Sequence, residues 1–166
     1  STYVVKPHAD ENNSLILKLY SGPAARANLQ PLELALCWQK GLVHPRLLGI
    51  AGAGISGKAS VYTTRQFSGS PLESSKADST HLPQLLDAVC FLHTHSRPHG
   101  QIKPSNIFIV DGGVRLADLR LVDCGEASSL DDIRFTAPEV LAEETPSVES
   151  DYYSVGAILY RHYAGH

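Results

Sequence analysis

His99-Gly100-Gln101-Ile102-Lys103-Pro104-Ser105-Asn106, with Asp118-Leu119-Arg120 downstream, is the stretch on which the reading of this chain turns. Between the two, residues 107–110 and 114–117 are apolar, β-rich runs around Asp111-Gly112-Gly113, a strong hairpin signal. A hairpin folds its ends together, so Asn106 and Asp118 are expected to meet in space. An amide and a carboxylate converging in this way form the donor set that a magnesium-phosphate site needs. Taken singly, each is an ordinary turn residue. The spacing carries the argument.

Immediately upstream, Leu82, Leu85, Leu86, Val89 and Leu92 recur at helical intervals, which predicts a helix over 81–95 with one buried face. It delivers His99 to the loop. His93, His95 and His99 suggest a metal site at first sight. Residues two apart on a helix do not share a face, and no carboxylate or cysteine sits at ligand spacing, so a metal is not expected there. Residues 68–79, rich in Ser, Gly and Pro, read as loop.

Near the start, residues 3–5 and 15–19 are β-rich runs separated by a Pro-, Asp- and Asn-containing turn over 6–13, which predicts a hairpin with Lys18 on its second strand. Residues 31–40 read as a helix with Pro31 in its first turn and Gly41 past its end. Gly52-Ala53-Gly54-Ile55-Ser56-Gly57-Lys58-Ala59 matches G-x-G-x-x-G and nearly matches a phosphate-binding loop. Both readings require a helix to begin at once. The next residues, Ser60-Val61-Tyr62-Thr63-Thr64, have a strand composition instead, and Ala59 replaces the hydroxyl that would hold magnesium. A hairpin turn is therefore expected.

The chain has 166 residues, 43% hydrophobic and 19% charged, which is the range of globular domains. A formal charge of -3 offers no broad basic face, so nucleic acid is not expected as a partner. No apolar run is long enough for a membrane span. Cys37, Cys90 and Cys124 are too few and too far apart for a disulfide framework or a zinc site, and Cys37 and Cys90 read as small core residues. There is no methionine, so the chain is expected to be a piece of a longer product. The cytoplasm is the default compartment, and secretion stays open.

Several motifs then fall into one familiar order. His99, Lys103-Pro104 and Asn106 keep register with the catalytic loop H-R-D-L-x-x-x-N, and Asp118-Leu119-Arg120 stands at a D-F-G triplet. Ala137-Pro138-Glu139 is an unaltered A-P-E, and Asp151-Tyr152-Tyr153-Ser154-Val155-Gly156 looks like D-x-W-S-x-G. Leu15-Ile16-Leu17-Lys18 is similar to V-A-I-K, and His44-Pro45 is a landmark that comes after the mobile helix of the small lobe. The chain resembles the protein kinase superfamily and, more closely, its degenerate members, the pseudokinases.

That resemblance implies an α+β, two-lobed protein-kinase-like fold. The small lobe is expected over 1–67 and the large lobe over 68–166, truncated before the glycine-rich loop and after the central large-lobe helix. Lys18, Lys103, Asn106 and Asp118 would be the nucleotide-binding remnants, with Asn106 and Asp118 holding magnesium if a Mg-nucleotide binds. His99, Leu119, Arg120, Glu139 and Asp151 would be structural landmarks. The base position holds Gln101, an amide without useful basicity, and the preceding Arg position holds Gly100. Glu33, two residues from the usual place of the Lys-pairing Glu, is expected to point away from Lys18, and Arg65 to crowd an adenine.

The reading from sequence is accordingly a protein that is not an enzyme: a catalytically impaired pseudokinase that scaffolds or regulates protein partners within a larger assembly. No cofactor is required, and ATP and Mg2+ bind weakly at most. The alternative is an atypical Mg/ATP-dependent transferase that uses another carboxylate, such as Asp123.

Overall fold

The computed structural model describes residues 2–5, 15–20, 29–56, 60–66, 70–72, 79–120 and 130–164. The expected turn over 6–13, the tip Gly57-Lys58-Ala59, most of the loop over 68–79, and Asp123 and Cys124 lie outside these residues. So do the side chains of Lys18, Glu33 and Arg65. The described residues fall into two compact units.

The first unit is an antiparallel sheet with one helix. Strands β1 (Thr2–Val5), β2 (Leu15–Tyr20), β3 (Gly52–Ser56) and β4 (Ser60–Gln66) lie in the order β1-β2-β4-β3. Lys18 sits in mid-strand, opposite Thr2 on one side and Thr63 on the other. Gly52 pairs with Thr64 and Ser56 with Ser60. The glycine-rich stretch is thus strand and hairpin, with no helix at its end where a phosphate would sit. Helix α1 (Leu29–Lys40) begins two residues before the expected start and closes with the Gly41 amide donating to Trp38 O at 3.0 Å. Ala35 and Leu36 are buried, as are Leu48 and Ile50. Cys37 and, in the second unit, Cys90 are exposed, which corrects their reading as core residues. Each lies on the outer side of its helix, beside buried neighbours such as Leu36 and Val89.

The second unit carries the site. Helix α2 (His81–Thr94) buries Leu85, Ala88, Val89 and Leu92 against the sheet, one residue every three or four. The sheet orders β5 (Ser70–Pro71), β6 (Ile107–Val110) and β7 (Gly113–Leu116), and α2 packs on β7. Ile107, Val114 and Leu116 are each 1% exposed, so this hairpin is core on the helix side. Val110 pairs with Gly113, leaving a two-residue loop in which Asp111 has φ 50° and Gly112 φ 72°. Two successive positive φ values make a type I′ turn, whose twist matches that of the strands it joins. Two short helices come next, α3 (Leu130–Ile133) and α4 (Pro138–Leu141), and then the long α5 (Val148–Ala164).

The start of α5 is set by a reciprocal pair. The Ser147 amide donates to Ser150 Oγ at 2.8 Å, and the Ser150 amide donates to Ser147 Oγ at 3.3 Å. This is a capping box with Ser in place of the usual Glu or Gln. It fixes the first turn of α5 and hence the next residue, Asp151. Pro104–Asn106 form a single 3-10 turn that feeds directly into β6.

Gly112→Ala is expected to lower stability by about 1 kcal/mol, because only a left-handed backbone closes this turn. Gly112→Asn should stay within a few tenths of a kcal/mol of the parent, since Asn tolerates that conformation. Urea denaturation of both variants checks the pair.

Candidate catalytic loop and its anchors

The loop begins where α2 ends. Residues 99–106 are held by bonds among themselves and by anchors from outside the loop. The principal anchor is Asp151, 1% exposed, whose carboxylate accepts from two consecutive loop amides. The His99 amide donates to Oδ2 at 2.6 Å and the Gly100 amide to Oδ1 at 2.8 Å. His93 Nε2 lies 2.9 Å from the same Oδ2. A buried carboxylate needs such donors to offset its lost hydration.

His99 is the second anchor, buried to 1%. Its Nε2 donates to Ala117 O at 2.9 Å, and its Nδ1 accepts from the Gln101 amide at 3.2 Å. The two partners require the tautomer with the proton on Nε2. His99 O accepts from the Arg120 amide at 2.9 Å. One residue therefore ties the loop to both ends of the Asp118 triplet.

Asn106 is the third. It is buried, and its Nδ2 donates to Gln101 O at 2.9 Å while its own carbonyl accepts from the Ala117 amide at 2.8 Å. The hairpin thus brings Asn106 against the residue preceding Asp118. Asp118 itself has φ 60°, a left-handed backbone that Asp tolerates better than most residues. Leu119 is buried and Arg120 half-buried.

The donor set suits a hard divalent cation. Asn106 Nδ2 gives one of its two hydrogens to Gln101 O, its amide oxygen is a hard donor atom, and Asp118 is a carboxylate. These residues would hold magnesium, and magnesium there would neutralise phosphate charge.

Gly100 has φ 74°, and a Cβ built on it would lie 3.1 Å from Pro146 and 3.2 Å from the Arg120 side chain. Lys103 has its Nζ 2.9 Å from Asp132 Oδ2. Glu139 opens the first turn of α4. Lys18 belongs to the first unit. Two partners are not foreseen from sequence: His93, weighed there only as a metal ligand, and Asp132, one of several acidic residues without a motif. The other loop histidines have duties of their own, since His95 Nδ1 lies 2.8 Å from Phe91 O.

Asp151→Ala should be severe. Removing one member of a buried charged network costs about 3–5 kcal/mol, and thermal denaturation should show a large drop. Hydrogen exchange provides the local readout: the amides of His99 and Gly100 lose protection ahead of those in β6 and β7.

Comparison with known proteins places this geometry in a family. The protein kinase domain family matches residues 61–166. Death-associated protein kinase 2 of Mus musculus is 31% identical over 97 residues, covering 52% of this chain and 26% of that protein. Serine/threonine-protein kinase 17A of Oryctolagus cuniculus is 33% identical over 87 residues, 46% of this chain and 22% of its own length. Serine/threonine-protein kinase 36 of Pongo abelii is 28% identical over 148 residues, 80% of this chain and 11% of that protein. The chain spans about a quarter or less of each of these relatives. The expectation that the protein is not an enzyme is corrected by these matches, because a protein kinase domain and relatives named as serine/threonine kinases point to a kinase. The departures from the family motifs at Gln101, Gly100, Glu33 and Arg65 weighed too heavily in that expectation. By the family match and the loop that underlies it, this chain belongs to the protein kinase family.

Proposed function

We propose that this chain is part of an atypical serine/threonine kinase that transfers the γ-phosphoryl group of ATP, with Mg2+, to a hydroxyl on a protein partner. The observation that carries the proposal is the tie between Asn106 and the Asp118 segment, Ala117 N to Asn106 O at 2.8 Å, with Gln101 O bonded to the Asn106 amide. It supports a preformed metal-phosphate corner beside the loop. Such transfer depends mostly on positioning and charge neutralisation, which this corner supplies through Asn106 and Asp118.

Gln101 supplies no base. An amide orients an acceptor hydroxyl but does not take its proton at neutral pH, and a positioned base is worth roughly 10²–10⁴ in rate. Any base for this transfer therefore stands elsewhere than at Gln101. The acceptor is a protein side chain by analogy with the relatives' names.

A second reading, a docking role for protein partners, is favoured by one face of α5. Tyr153, Gly156, Ala157, Tyr160 and Arg161 recur at helical spacing and line an open cavity of about 540 Å³ with Arg134 and Phe135. Tyr160 is 67% exposed, and the Arg161 guanidinium stands 5.6 Å from the Phe135 ring centre. Aromatic and Arg side chains of this kind anchor interfaces.

Two measurements test the enzymatic reading. Purified protein with MgATP should phosphorylate a Ser/Thr peptide library slowly, and Asp118→Ala should abolish the transfer. Absence of transfer, or transfer that survives Asp118→Ala, would refute it. Gln101→Asp, which puts a base in the loop, should transfer at least as fast as the parent, read in the same assay.

A further inference from the structure

We propose that Asp132 stands in for the missing base, taking the proton of the acceptor hydroxyl while Lys103 holds its carboxylate against the catalytic loop. This rests on the phosphotransferase reading above and names the residue that makes it chemically complete.

The geometry begins with the loop's own alternation. Ile102 is 2% exposed and points into the core, while Gln101 and Lys103 on either side are half-buried. Lys103 has an extended backbone, φ -153° and ψ 157°. With Ile102 turned inward between them, the half-buried side chains of Gln101 and Lys103 share the outward side of the loop. Asp132 is fixed to that face by its ion pair, Nζ to Oδ2 at 2.9 Å, with side chains 25% and 20% exposed. The pair is shielded enough to be ordered and open enough to meet a substrate.

Asp132 is also held from behind. Its carbonyl accepts from the Phe135 amide at 3.0 Å and from Thr136 Oγ1 at 3.0 Å. Phe135, 4% exposed, roots this turn in the core. A carboxylate constrained by a backbone turn on one side and an ammonium on the other meets the positioning requirement of a general base. Where the loop has an uncharged amide, the neighbouring segment returns a carboxylate to the same face.

The step balances without another reactant. As the acceptor oxygen forms its bond to the γ-phosphorus, its proton passes to an Asp132 oxygen. The bond between the γ-phosphorus and the bridging oxygen breaks, and ADP leaves with that electron pair. The Asp132 proton is then lost to water. Asp123, the carboxylate considered from sequence alone, is not required.

A double-mutant cycle in the full-length protein tests the assignment, with single-turnover phosphorylation of one peptide as the readout. Asp132→Asn should lower kcat by about 10²-fold or more and leave the KM for ATP within about twofold. In a Gln101→Asp background the same change should cost less than about fivefold, because the loop then carries its own base. Asp132→Glu, which keeps a carboxylate, should retain more activity than Asp132→Asn at equal thermal stability. An equal loss in both backgrounds means that Asp132 only supports Lys103 and overturns the proposal. No loss in an active parent overturns it too, and leaves the phosphotransferase reading standing. A parent that transfers nothing, even as Gln101→Asp, overturns both.

Discussion

The carboxylate of Asp151 is the constraint on which the rest of the site depends. A charge with 1% of its surface exposed survives only if donors surround it, and here the donors are the backbone of the loop itself. By gripping the amides of His99 and Gly100, Asp151 sets the direction in which the His99 ring leaves the backbone. That direction lets Nε2 reach Ala117 and lets the His99 carbonyl meet the Arg120 amide. The backbone ties at Asn106, Ala117 and Arg120 thus depend on a residue from α5, a helix that begins only at Val148. The Ser147 and Ser150 capping pair matters for the same reason, since it fixes the turn from which Asp151 projects.

Within this network the two histidines differ in their partners. His99 has a partner on each nitrogen and is fully committed. His93 gives its Nε2 to Asp151, while its buried Nδ1 has no partner among the described residues.

Much of the fold is legible in local chemistry. Asp111-Gly112 announces a tight hairpin because both positions tolerate positive φ, and Leu85, Val89 and Leu92 announce the buried stripe of α2 because their spacing matches the helix. The glycine-rich stretch over 52–59 is separable from a phosphate loop by the β-branched residues just after it. What escapes is non-local. The link between His93 and Asp151 joins residues 58 apart, and that between Lys103 and Asp132 joins residues 29 apart. Neither has a spacing rule to announce it. Cys37 and Cys90 are misplaced from sequence because a largely apolar helix does not say which of its small residues faces outward. The expectation of an inactive protein fails for a related reason: it draws on motif departures read one by one, at Gln101, Gly100, Glu33 and Arg65, whereas the segments that carry them meet only in three dimensions.

Gly100 closes a door behind it. With its backbone left-handed and its missing Cβ facing Pro146 and the Arg120 side chain at 3.1–3.2 Å, the position has little slack for the arginine that the family motif carries. Such a side chain would need its neighbours to give by a few tenths of an ångström and would hold a backbone that residues with a Cβ rarely adopt, so the bare hydrogen of Gly100 is what lets the loop, Pro146 and Arg120 close on one another.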